Sequence, residues 1–140
     1  MRIAVTRPAP QGEATARTLL AGGHQVILAP LMILATLPAH WPEAVDAVLA
    51  TSANALRRLP DGKGPYAQPL FAVGEATATA ARSAGFADVR CGPGDAAGLA
   101  EQVRAALPAE ARLTYLAGRV RKPDLERMLA ALAAIDAAPV

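Results

Sequence analysis

Four short segments each follow an apolar, strand-like run: Thr6-Arg7-Pro8, Thr51-Ser52-Ala53-Asn54, Gly74-Glu75-Ala76-Thr77 and Gly118-Arg119. They offer small hydroxyls, helix-start amides and guanidinium groups, donor types that suit carboxylates or phosphates. Taken singly, each also reads as a helix cap or a turn. The recurrence of the same donors behind several strands is what raises anion binding as a joint role. Arg121 and Lys122 add cations beside Arg119, with a solvated basic turn as the other reading.

Other chemistries find less support. The two histidines, His24 and His40, stand in a turn and a Pro-rich stretch, and no Cys/His spacing predicts a metal. Cys91 has no base near it in sequence and reads as a semi-buried structural thiol. Gly92-Pro93-Gly94-Asp95-Ala96-Ala97-Gly98 superficially matches a dinucleotide loop. Pro93, the spacing of the last Gly and the missing acidic ribose reader count against it. Asp95 then reads as a helix N-cap. Glu13, Glu75 and Asp95 all fit helix starts, where their charge is favourable without catalytic duty. No carboxylate pair forms an acid/base couple, so no catalytic residue is assigned.

The elements that must position these groups centre on residues 70–86. Leu70-Phe71-Ala72-Val73 is a short apolar run of the kind that forms a buried parallel strand. Gly74 closes it, and an Ala-rich helix with Glu75 in its first turn runs to a stop at Gly85. In open parallel sheets ligands bind outside the carboxyl ends of the strands. The same alternation covers the chain. Strands are predicted near 3–5, 25–30, 45–50, 88–91, 112–117 and 137–140, with residues 31–37 continuing the second strand in extended form. Helices are predicted from Pro10 to Leu20, over 53–59, after Asp95 and after Pro123. The last helix carries a buried stripe of Leu125, Met128, Leu129, Leu132 and Ile135.

The chain of 140 residues is 53% hydrophobic, enough for a real core, and its net charge of +2 comes with no long basic run. A nucleic-acid partner is therefore not expected. The most apolar stretch, about a dozen residues from Val26 and broken by Pro30, falls short of the roughly 20 needed to span a bilayer. With a single cysteine and no signal peptide at its start, the chain reads as cytoplasmic, without a membrane partner.

Several of these segments together resemble the uroporphyrinogen-III synthase family. They are the Val5-Thr6-Arg7-Pro8 opening, Pro30 after the second strand, Thr51-Ser52-Ala53-Asn54-Ala55, and Phe71-Ala72-Val73-Gly74-Glu75-Ala76-Thr77-Ala78 with Ala84-Gly85-Phe86. Leu116-Ala117-Gly118-Arg119 with Arg121-Lys122-Pro123-Asp124-Leu125 completes the set. The resemblance implies an α/β fold: flavodoxin-like parallel sheets with helices on both faces, in two domains around a cleft. Residues 1–34 would be the opening βαβ of a first domain, incomplete here, 35–44 a linker, and 45–140 the second domain. The family's pattern continues into a Val-Tyr segment beyond the last strand, whereas this sequence stops at Val140. Leu19, Leu20, Val26 and Ile27 would then be exposed, and self-association is expected.

The implied activity is a cofactor-free cyclisation of hydroxymethylbilane, a lyase reaction of tetrapyrrole (haem) biosynthesis. Loss of the substrate hydroxyl gives an azafulvenium-like cation, the last pyrrole attacks through its substituted carbon, and a spiro intermediate rearranges with inversion of ring D. Carried over onto this sequence, the expected substrate-carboxylate contacts are Thr6 and Arg7, then Ser52, Gly74, Thr77, Gly118 and Arg119. The other reading is a non-catalytic α/β module that binds anions or tetrapyrroles.

Overall fold

In the computed structural model, the described residues are all but 36, 38, 39, 58, 60–63, 131–134 and 140; residues 135–139 are described by backbone alone. The chain divides into two compact units, Met1–Thr36 and Leu37–Val140.

In the first unit, β1 (Arg2–Val5) leads through α1 (Gln11–Ala21) to β2 (Gln25–Leu28). The strands pair in parallel, Arg2 opposite Gln25 through Val5 opposite Leu28. Backbone bonds run on past the ladder, from the Ala29 amide to Val5 O and from the Leu31 amide to Thr6 O. The described residues of 31–37, expected to extend β2, form no strand. Among the described residues of this unit the buried side chains are few, Val5 and Ala16, while Leu20, Ile27, Leu28 and Leu31 to Leu34 are exposed. Leu19 and Val26, expected to be exposed with them, are half-buried.

The second unit is one five-stranded parallel sheet. Its strands are β3 (Ala47–Ala50), β4 (Leu70–Ala72), β5 (Val89–Cys91), β6 (Leu113–Ala117) and β7 (Ile135–Pro139), in the spatial order β5-β4-β3-β6-β7. A 3₁₀ turn at Ala53–Leu56 follows β3, and the helices are α2 (Glu75–Ser83), α3 (Ala96–Ala106) and α4 (Asp124–Leu129). Side-chain alternation splits each central strand between two cores. Val48, Ala50, Leu70, Ala72 and Leu116 pack with Ala78, Ala81 and Phe86 on one face. Ala47, Leu49, Phe71, Leu113 and Tyr115 pack with Leu99, Val103, Leu125 and Leu129 on the other. Both faces are thus covered by helices, the arrangement that an all-parallel sheet requires.

Local chemistry explains the element ends. At Gly85 the backbone turns left-handed (φ +100°), which lets the Phe86 amide reach back to Ala81 O at 3.2 Å. The ring of Phe86 then returns to the core. The Asp95 carboxylate accepts from the Gly98 amide at 2.8 Å and starts α3.

Two expectations are corrected. The segment after β3 is a short 3₁₀ turn, not a helix to residue 59: Ser52 Oγ accepts from the Asn54 amide, and the Arg57 amide bonds back to Asn54 O, three residues away. So short a segment gains little from propagation, and the tighter turn suffices to bury Ala55 and Leu56. Ile135 is not on the stripe of α4 but begins β7, opposite Leu113. The outer side of β6 would otherwise leave a row of amides and carbonyls unpaired, and β7 satisfies them. Leu132 lies outside the described residues, as does Val140 at the end of the expected last strand.

At the amino end of the sheet, Arg112 joins β6 to β3. Its Nε and a terminal nitrogen donate to the two Asp46 oxygens at 2.9 and 2.8 Å, and its amide donates to the same carboxylate at 2.8 Å. The Arg112 side chain first, and its amide second, hold the Asp46 carboxyl far below its ordinary value of 3.8. A depressed carboxyl contributes stability above its unfolded-state value and loses it as pH falls further. Both side chains are about half exposed, which makes the contribution modest. Thermal unfolding at pH 6 and pH 3 should show a smaller acid-induced drop in Tm for Asp46→Asn than for the parent; an equal drop would place acid sensitivity elsewhere.

Candidate functional site

Because the strand order runs β3 to β4 to β5 on one side and β6 to β7 on the other, the winding reverses between β3 and β6. At such a reversal the loops leaving two adjacent strands diverge over opposite faces and open a crevice at the carboxyl ends. The loops that follow β4, β3 and β6 lie side by side there. With strands about 4.8 Å apart, they span roughly 10 Å. Of the sequence-predicted contacts, Ser52, Gly74, Gly118 and Arg119 belong to these loops, and Thr77 lies in the first turn of α2 that follows β4. Thr6 and Arg7 belong to the first unit, at the carboxyl end of β1, where Arg7 donates to Thr15 Oγ1 at 3.2 Å.

Each loop offers different donors. Ser52 is exposed, and its Oγ accepts from the Asn54 amide at 3.2 Å, which leaves the hydroxyl proton available to an incoming anion. Gly74 is the N-cap of α2 and makes no side-chain cap, so the amides of Glu75 and Ala76 have no intrahelical acceptor. Thr77 is 4% exposed, and its amide is taken by Gly74 O at 3.0 Å. It shapes the turn and offers a ligand little surface. Gly118 and Arg119 are exposed, and no ion pair to Arg119 occurs among the described residues.

Two further residues stand beside these loops, Tyr115 and Arg121. The Tyr115 hydroxyl lies 2.7 Å from Thr51 Oγ1, joining the carboxyl ends of β6 and β3. The pairing of Leu49 with Tyr115 makes Thr51 the diagonal neighbour two residues on, within reach of a long side chain. Arg121, grouped with the solvated basic turn, is instead three-quarters buried against Glu126.

Beside α2, the Arg82 guanidinium and then the Cys91 thiol hold the Glu75 carboxyl below its ordinary value. Cys91 is exposed, not semi-buried, because the short β5 is the edge strand of the sheet and Cys91 is its last residue. Desolvation, then the Glu75 carboxylate, push its thiol up from the ordinary value. Alkylation by iodoacetamide at pH 8 should therefore be slower than for a free cysteine peptide, and Glu75→Gln should speed it. No change on Glu75→Gln would show that the carboxylate does not act on the sulfur.

No group of three or more His, Cys, Asp or Glu among the described residues is placed to hold a metal ion. No described helix is long and apolar enough to cross a membrane.

Known proteins with this architecture bear on the site. The family profile of uroporphyrinogen-III synthase HemD matches residues 13–140. A mutant uroporphyrinogen III synthase from the extremely thermophilic bacterium Thermus thermophilus superposes with a TM-score of 0.62 at 25% identity. That match covers 100% of this chain and 60% of the other. A second structure, Thermus thermophilus uroporphyrinogen III synthase, gives a TM-score of 0.50 at 25% identity over 100% of this chain and 61% of its own. The wild-type enzyme of the same bacterium in another crystal form, at 23% identity and a TM-score of 0.51, covers 99% of this chain and 61% of its own, and shares the fold. The chain thus spans about three-fifths of the length of these structures. No curated protein matches it significantly. With parallel α/β architecture throughout and a family match over nearly all of its length, the chain belongs to the uroporphyrinogen-III synthase family.

Proposed function

We propose that this chain cyclises hydroxymethylbilane to uroporphyrinogen III, with inversion of ring D and release of water, in the cytoplasm and without a cofactor. The observation that carries the reading is the reversal of winding between β3 and β6, with exposed hydroxyl and guanidinium donors on the loops that leave these strands, in a member of this family. The substrate bears eight carboxylates on a flexible chain. Its ring closure needs the two ends brought together and the departing hydroxyl helped away. Donors fixed on strand ends favour the folded substrate by prepaying its orientation. On this reading Arg119 and the Ser52 hydroxyl hold acetate or propionate arms, the amides after Gly74 hold another, and Gly118 admits the substrate close to the backbone. Thr6 and Arg7 of the first unit are assigned the same kind of contact. Carboxylates held nearby also favour the azafulvenium-like cation formed when the C–O bond breaks.

The test is the isomer ratio. Hydroxymethylbilane generated enzymatically in the presence of the 140-residue protein should give type III uroporphyrinogen above the no-protein control, since type I forms spontaneously. A second reading is favoured by the donors themselves, which suit carboxylates and include no acid/base couple: a non-catalytic module that binds tetrapyrrole carboxylates. Type I alone from folded protein that still binds uroporphyrinogen III would select that reading.

A further inference from the structure

We propose that Arg121 is a positioning residue of the anion site, clamping the loop after β6 so that Gly118 and Arg119 stand at the crevice; this rests on the anion-site reading above. Arg121 spends its donors inside the protein. One terminal nitrogen donates to Gly118 O at 3.3 Å, Nε donates to Glu126 Oε1 at 3.1 Å, and the second terminal nitrogen meets the same carboxylate oxygen. The guanidinium also lies over the Tyr115 ring, 5.7 Å from its centroid. Tyr115 is in turn bonded to Thr51 at 2.7 Å. One continuous set of contacts therefore runs from the start of α4, through Arg121 and Tyr115, to the loop after β3.

The charges divide accordingly. Glu126 neutralises Arg121, and the two side chains are only 24% and 25% exposed. Arg119 and Lys122, on either side, are exposed and have no ion-pair partner among the described residues. The cations open to a ligand are thus the neighbours of Arg121, and its own role is to close the turn on itself. A planar fork can reach both Gly118 O and Glu126 from its place over the Tyr115 ring, which a point-charge ammonium cannot.

Anaerobic calorimetric titration with uroporphyrinogen III tests this on four proteins besides the parent: Arg119→Gln, Arg121→Gln, Arg121→Lys and Arg119→Gln/Arg121→Gln. Arg121→Gln should weaken binding about tenfold, the loss of one well-placed charged contact. Arg121→Lys keeps the charge beside Glu126 and the fold, yet should weaken binding about as much. In the Arg119→Gln background, Arg121→Gln should cost almost nothing further, because the clamp acts through Arg119. Additive losses would overturn the proposal, since both a direct contact and a general loss of structure give additivity. Restoration of parental affinity by Arg121→Lys would overturn it as well. Failure of the parent itself to bind would instead remove the anion-site reading, and the clamp with it.

Discussion

Phe71→Ala should destabilise the second unit by about 3–5 kcal/mol, the range for removing a fully buried aromatic ring. Phe71 has no exposed surface and packs on the same face of the sheet as Leu49, Leu99 and Val103, with the Arg90 guanidinium 5.1 Å from its ring centroid. The chain has only two Phe, two Tyr and one Trp, so its core rests on aliphatic residues and alanine. Alanine has no rotamer to move into a void, which leaves the cavity largely unfilled. A loss of this size is a large part of the roughly 5–15 kcal/mol typical of a domain. Urea unfolding followed by circular dichroism measures it, with the midpoint falling at an unchanged slope. Phe71→Leu should cost less than half as much; equal costs would show that the volume left empty is not what sets the penalty.

The second large effect belongs to the first unit. A Cβ at Gly12 would stand 2.5 Å from Arg7 O, while the Gly12 amide already bonds Pro8 O at 2.9 Å. The obstacle is a backbone carbonyl, which cannot rotate aside as a side chain can. Gly12→Ala must therefore shift either α1 or the turn that carries Thr6 and Arg7. Overpacking of this kind costs about 1–3 kcal/mol, against a unit whose buried side chains, among its described residues, are Val5 and Ala16. Amide hydrogen exchange should accelerate strongly in β1, α1 and β2 and stay at parental rates in β3, β4 and β6. Equal acceleration in both would mean that the two units do not open separately.

How far the sequence discloses this molecule depends on the range of the interaction concerned. The strand, glycine and helix succession at residues 70–86 is local: each residue's preference agrees with its neighbours, and the structure follows it to the left-handed Gly85. Asp95 as a cap is legible for the same reason, since it reaches only to the Gly98 amide. The Tyr115 and Thr51 hydroxyls are 64 residues apart in sequence, and only the strand register brings them together. Arg121 misleads differently. Its partner Glu126 is five residues away, but across a turn and into the next helix, a spacing with no periodic signature. Ile135 fits the apolar spacing of α4 and is nevertheless claimed by the sheet, where β6 has an open side. The donor-bearing loops could be named from sequence because strand ends announce themselves. Their left-to-right order could not, because strand order is a property of the whole chain.

That order also constrains how the second unit comes into being. β3 is central, yet one of its two neighbours, β6, is the later partner by far: Asp46 and Arg112, which join the two strands, are 66 residues apart. Pairings so distant in sequence are slow to close, and contact order of this kind lowers folding rates. At a synthesis speed of about 5–20 residues per second, the ribosome needs several seconds to deliver β6 after β3 has emerged. During that interval β3 can pair with β4, and β4 with β5, but the other side of β3 has no partner. The nascent sheet therefore grows first toward β5, and the junction of β3 with β6 forms only after that side is in place.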